Sequence, residues 1–149
     1  TYVIFHAAPA LSPQNDFFER IDLLIVNKLE AKRLLGKEST TFDYSGALKK
    51  LQNLGPKEVI ITLGADGYMG ICRDGEIFSK PGIKVDVLST HGAGDSFVGT
   101  LAAFICKGEH ISVAAQYAQA SSALHVKTPI DQREKIKEVD IENMFLLNQ

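Results

Sequence analysis

Tryptophan is absent from the 149 residues, and cysteine and methionine occur twice each. Cys72 and Cys106 lie in apolar surroundings without CxxC or Cys/His spacing, which excludes a disulfide scaffold or a zinc ribbon and reads as two buried thiols in a reducing cytoplasm. No apolar run approaches the ~20 residues of a membrane span, and no charged n-region with a cleavage site marks a signal peptide. An excess of one charge is missing too: 16 Lys and Arg stand against 18 Asp and Glu, a net −2, so there is no basic stripe for nucleic acid. Repeats, low-complexity tracts and linkers are also lacking. What is present is an ordinary globular mixture, 45% hydrophobic and 23% charged, in a chain long enough for one domain burying roughly 70% of its unfolded surface. It opens without Met on the apolar run "TYVIF", and so reads as a piece of a longer protein.

Short apolar runs alternate with helical patterns. Tyr2 to Phe5, Leu23 to Val26 and Val59 to Leu63 read as strands buried on both faces, the habit of parallel strands between helix layers. In "KLEAKRLLG" the residues Leu29, Leu34 and Leu35 form a short stripe that Gly36 stops. In "FDYSGALKKLQNLGP" the residues Tyr44, Leu48 and Leu51 share a face, and Gly55 and Pro56 end the helix. Strand, helices, strand is a βαβ crossover. "GYMGICRDGEIFS" predicts a hairpin turning at Asp74-Gly75, and "IKVDVL" (Ile83 to Leu88) alternates as a strand with one wet face. Helices follow over Ser96 to Cys106, with Phe97, Leu101, Phe104 and Ile105 on one face, and over Ser112 to Val126, with Val113, Tyr117, Ser121 and Leu124 recurring. A last helix, "DIENMFLL", takes Asp140 as its N-cap. The order predicts an α/β fold, a doubly wound, mainly parallel sheet with helices on both faces and a mixed edge.

The informative stretch is "LSTHGAGDSFVGTLAAFI". Strand, Gly-Ala-Gly and helix in that order bring backbone N–H groups toward an anion at a positive helix terminus, and glycine admits φ > 0 and a close ligand approach. Asp95 then either caps the helix or accepts a proton beside a bound phosphoryl group, since phosphoryl transfer needs donors for the equatorial oxygens and a base that positions the nucleophile. The turn is neither a Walker A loop nor a Rossmann GxGxxG, and Gly64, Gly67 and Gly70 have the wrong spacing for the latter. The residues alone support an anion site with an acid.

"STHGAGDSFVGTLAAF" resembles the carboxy-terminal signature of the ribokinase-like (PfkB) carbohydrate kinases. Three further stretches are similar, in the family's order: "APALSPQNDFFERIDLLIVNKLEAKRLLG", from an Ala-Pro-Ala turn to Asn27-x-x-Glu30; "VIITLGADG", a strand and Thr-Leu-Gly turn; and "AAQYAQASSALHVKT", a small-residue helix beside the adenine pocket. The resemblance implies that Asp95 is the catalytic base, that the amides of Gly92, Ala93 and Gly94 form the anion hole, and that Thr62, Gly64 and Gln119 meet the nucleotide. It also implies that Asn27 and Glu30 organise Mg²⁺, mainly through water. ATP and Mg²⁺ are the implied cofactors, and a small sugar the partner, with ribose favoured through the Ala-Pro-Ala segment.

Two departures bear on that expectation. Ser89 stands where many members have an Asp in a loop that holds a monovalent cation, which puts potassium activation in doubt. Gln119 replaces a usual Asn near the adenine, and its longer amide still hydrogen-bonds. His91, ahead of the turn, reads as loop filler, and His6, His110 and His125 have no ligand partners at metal spacing. The family's amino-terminal half, with its sugar-binding residues and β lid, has no counterpart here, so residues 1–149 are expected to be the nucleotide-binding and catalytic-base portion, with little sugar phosphorylation alone. Kinases of 2-keto-3-deoxygluconate, fructose, nucleosides or vitamins on the same scaffold remain open, as do a nucleotide-binding module without catalysis and a homodimer.

Overall fold

The computed structural model describes residues 1–7, 17–36 and 42–149; the Ala8-Pro9-Ala10 turn that favoured ribose lies outside them. The chain divides into two compact units, Thr1–Pro81 and Gly82–Gln149. The first is built on a five-stranded sheet of β1 (Ile4–His6), β2 (Leu23–Asn27), β3 (Glu58–Thr62), β4 (Tyr68–Ile71) and β5 (Ile77–Lys80), each strand beside the next in sequence. β1, β2 and β3 run parallel; β4 and β5 are added antiparallel. The unbroken apolar runs of β2 and β3 have the expected cause: Leu23, Leu24, Ile25, Val26, Val59, Ile60 and Ile61 are all buried. β1 is instead a half-buried edge strand beginning two residues later than expected, with Tyr2 and Val3 exposed.

Two helices pack in this unit, α1 (Lys28–Leu34) and α2 (Tyr44–Gln52). Ala47, Leu48 and Leu51 of α2 enter one core with Leu24, Val26, Val59 and Ile61. α1 corrects the expected stripe, because Leu29 is 55% exposed while Glu30 and Ala31 are buried. Gly55, at φ 134, lies so close to the chain at Phe18 and Glu19 that a Cβ would fall 2.7 Å from the Glu19 nitrogen. The hairpin turns at Asp74-Gly75 as the sequence indicates, with Gly75 at φ 89 and the Cys72 N–H donating to Glu76 O at 2.8 Å. Asp22 anchors the start of β2: its carboxylate accepts from the Val3 N–H at 2.8 Å and from Lys57 Nζ at 2.6 Å.

The second unit is helical, with α3 (Ala93–Cys106), α4 (Ile111–Lys127), a 3-10 segment at Ile130–Lys135 and α5 (Glu138–Leu146). Phe97, Leu101 and Phe104 line the buried face of α3. Tyr117 of α4 stacks between Phe104 and Phe145. Residues 83–88 correct the expected strand: they form no ladder, and the alternation holds only over its first part, where Ile83 and Val85 pack on Ala120, Leu124 and Met144 and Lys84 and Asp86 are exposed, while Val87 and Leu88 are exposed too. Alternation encodes one buried side of an extended chain, not a pairing partner. α5 starts earlier than expected with Lys137 as N-cap, and Asp140 reaches back to accept from the Lys137 N–H at 2.8 Å. Of the two thiols expected to be buried, Cys72 is and Cys106 is not. Among the described residues no helix is long and apolar enough to cross a membrane.

Candidate functional site

In the first unit the candidate residues gather at the carboxyl ends of adjacent parallel strands, where open α/β sheets hold their ligands. Asn27 ends β2 and pairs in register with Thr62, which ends β3. Asn27 is also the N-cap of α1. Its Oδ1 accepts from the N–H groups of Leu29 and Glu30, each at 2.9 Å, and Glu30 Oε2 accepts from the Asn27 N–H at 2.8 Å. This is a reciprocal capping box. It explains why Glu30 is only 5% exposed, where an isolated glutamate on a helix would be solvated.

Beyond Thr62 the chain turns through a 3-10 segment, Gly64–Asp66. Gly64 has φ 63 and nothing within 4 Å of where a Cβ would sit. The Leu63 N–H closes the turn onto Gly67 O at 2.8 Å, and Lys28 pairs with Asp66. A hard cation takes oxygen donors; Asn27 Oδ1 already accepts two N–H bonds and Glu30 Oε2 one, so the oxygen this set offers is Glu30 Oε1, which fits a Mg²⁺ that keeps most of its hydration shell. Among the described residues no three His, Cys, Asp or Glu side chains cluster to hold a metal directly.

In the second unit the Gly-Ala-Gly-Asp stretch makes a tight reversal directly into a helix. Gly92 is the N-cap in the left-handed region, φ 76 and ψ 4, a conformation costly for any residue with a Cβ. α3 begins at Ala93 rather than Ser96, so Asp95 lies inside the first turn, exposed. It is not the N-cap that the simpler reading of an acid there would make it. The Ala93 N–H donates to Thr90 O at 3.1 Å and the Ser96 N–H to Gly92 O at 2.9 Å. Of the expected anion-hole amides of Gly92, Ala93 and Gly94, that of Ala93 is thus engaged within the turn, and that of Gly94 lies ahead of the helical ladder, as does the Asp95 N–H, which was not among those expected.

Polar side chains brace the turn from behind. Ser122 Oγ donates to Ala93 O at 2.9 Å, and the hydroxyls of Ser96 and Ser121 meet at 2.9 Å. His91 contributes its carbonyl, which lies 3.0 Å from His125 Nε2 and accepts from Arg133 Nη1 at 2.8 Å. Arg133 Nη2 donates to Ser89 O at 3.0 Å. Gln119 is half-buried on α4. No sequence pattern marks Arg133 or the bracing serines, because their acceptors are main-chain oxygens or lie far along the chain. The Asn27-x-x-Glu30 capping pattern is legible by its three-residue spacing.

The sequence profile of the pfkB family carbohydrate kinases matches residues 3–136. Deoxyribokinase of Salmonella typhi is 29% identical over 126 residues, 83% of this chain and 41% of the relative. The crystal structure of ribokinase from Thermotoga maritima superposes with a TM-score of 0.83 at 29% identity, over 99% of this chain and 49% of that one. A structure described as a putative ribokinase II from E. coli, in complex with ATP and Mg²⁺, superposes at 0.74 with 26% identity, over 89% of this chain and 42% of its own. The chain therefore spans about two fifths of the length of the curated relative it matches.

Proposed function

This chain belongs to the pfkB family of carbohydrate kinases, and from that premise we propose that it carries the nucleotide-binding and proton-accepting portion of an ATP-dependent sugar kinase. The reaction moves the γ-phosphoryl group of ATP to a sugar hydroxyl. As the hydroxyl oxygen bonds to phosphorus, its proton passes to the Asp95 carboxylate, the bond to the bridging oxygen breaks, and ADP leaves. The N–H groups of Gly94 and Asp95 and the positive end of α3 face the charge on the equatorial oxygens. Thr62 and Gly64 contact the nucleotide, and Gln119 lies beside the adenine, a reading supported by the family resemblance. Asn27 and Glu30 hold the hydration shell of Mg²⁺, which neutralises phosphate charge when bound. Ribose leads the acceptors; deoxyribose joins it through the relatives, and the fructose, sugar-acid and nucleoside classes stay in the panel.

The observation that carries this reading is Asp95 at the mouth of the Gly92 turn. Gly92 takes the capping position, and Asp95, third in the helix, makes no bond back to it of the kind Glu30 and Asp140 make to their own N-caps; a bare carboxylate works against binding a polyanion at the same helix end. A group that hinders ground-state binding is accounted for if it receives a proton during transfer. A nucleotide-binding module without catalysis gives no such account. The test pairs Mg·ATP titration with assays of the acceptor panel, using the parent and Asp95→Asn. ATP affinity should be equal or higher in the variant, while turnover falls by roughly 10²–10⁴-fold. Unchanged turnover, at a parent rate that stands above the acceptor-free background, removes Asp95 from the base role. Since the chain covers 41% of its relative, its own sugar phosphorylation is expected to be slight.

A further inference from the structure

Three main-chain carbonyls around the Gly92 turn converge on one side chain. Arg133, half-buried in the 3-10 segment Ile130–Lys135, donates from Nη1 to His91 O at 2.8 Å, from Nη2 to Ser89 O at 3.0 Å and from Nε to Thr128 O at 3.1 Å. Nη1 also lies 3.0 Å from His125 Nε2. Its two hydrogens serve the carbonyl and the ring nitrogen together when Nε2 carries no proton. Among the described residues no carboxylate pairs with Arg133, so its charge is met by backbone oxygens and one imidazole.

Carbonyl oxygens pointing at a common centre are the means by which backbone replaces the hydration shell of an alkali cation. Here a planar guanidinium fills that centre. We propose that Arg133 is a built-in cation that sets the turn from Ser89 into α3, a positioning residue for Gly94 and Asp95, and that the turn needs no added monovalent metal ion. Without the guanidinium the oxygens of Ser89, His91 and Thr128 face one another uncompensated, and the reversal through Gly92 loses its fixed approach. Lysine cannot replace it fully, because a point charge does not span three acceptors as the guanidinium fork does. The proposal concerns the shape of the turn and stands whether or not the turn handles a phosphoryl group.

Amide hydrogen exchange on this chain tests it without reference to activity. Arg133→Ala should speed exchange at Leu88, Ser89 and Ala93, whose N–H groups bond within or beside the turn, by about tenfold or more, leaving amides inside α4 unchanged. Millimolar guanidinium ion should restore their protection, and Arg133→Lys should fall between parent and Ala. Exchanging potassium for choline at constant ionic strength should leave the parent's turn amides unaltered. The proposal is overturned if Arg133→Ala accelerates no amide or all amides alike, if guanidinium ion fails to restore protection, or if potassium slows the parent's turn amides. Should Arg133→Ala not fold, the Lys variant decides by the same criterion, selective acceleration at those three amides against none or uniform acceleration.

Discussion

Replacing Gly92 by alanine probes the turn where backbone and packing act together. At φ 76 a residue with a Cβ costs about 1–2 kcal/mol in left-handed strain. The new methyl would also meet His125 Nε2 at 3.0 Å, and that ring does not swing aside freely because it touches His91 O and Arg133. Gly99 is the internal control: it lies within α3, with nothing within 4 Å of the place a Cβ would take and no positive φ. Alanine there should stabilise by about 0.5–1 kcal/mol through helix entropy. The two substitutions therefore differ in sign and stand about 2 kcal/mol apart, roughly 4–8 °C in Tm for a chain of this size. Thermal melts of both variants, with Gly92→Ala repeated in a His125→Ala background, separate strain from contact: the second background should recover only the contact part. A Gly92→Ala melt shifted upward like that of Gly99→Ala would refute the reasoning.

Other outcomes follow from single groups. The Lys57 ammonium, then the Val3 N–H, hold the Asp22 carboxyl below the usual carboxylate range. A depressed folded pKa gives stability that is present above the unfolded value near 3.9 and is lost as pH falls below it. The parent should thus lose Tm below about pH 4 more steeply than Asp22→Asn, whose melts at neutral pH should already be weakened by about 1–3 kcal/mol. Burial, with help from Asp74 and Glu58, pushes the Cys72 thiol up to about 11. An aromatic disulfide reagent should therefore label Cys106 alone in the native chain and both thiols after denaturation; two fast native thiols would contradict the burial of Cys72.

Much of the first unit was legible because its signals are local. The unbroken runs Leu23 to Val26 and Val59 to Leu63 announce buried strands, and Asp74-Gly75 announces its own turn. The second unit shows where such reading stops. Ile83 to Leu88 carries the alternation of a strand yet packs only Ile83 and Val85 on a helix pair and leaves Val87 exposed, and nothing in six residues distinguishes the two. The Gly-Ala-Gly-Asp turn into a helix was visible, but what braces it was not. Arg133 meets oxygens that lie 42 and 44 positions earlier in the chain, and a backbone carbonyl leaves no trace in residue type. Asn27 and Glu30 present the converse. Their three-residue spacing announces the capping box, whereas their proposed part in holding Mg²⁺ rests on the family resemblance.

The most direct measurement is a crystal structure of the chain with Mg²⁺ and a non-hydrolysable ATP analogue. The account predicts the terminal phosphate at the first turn of α3, with the Gly94 amide about 3 Å from a phosphate oxygen and the Asp95 carboxylate on the open side of the phosphorus. A triphosphate bound away from Gly92, Ala93 and Gly94, with that carboxylate turned from it, would contradict the account.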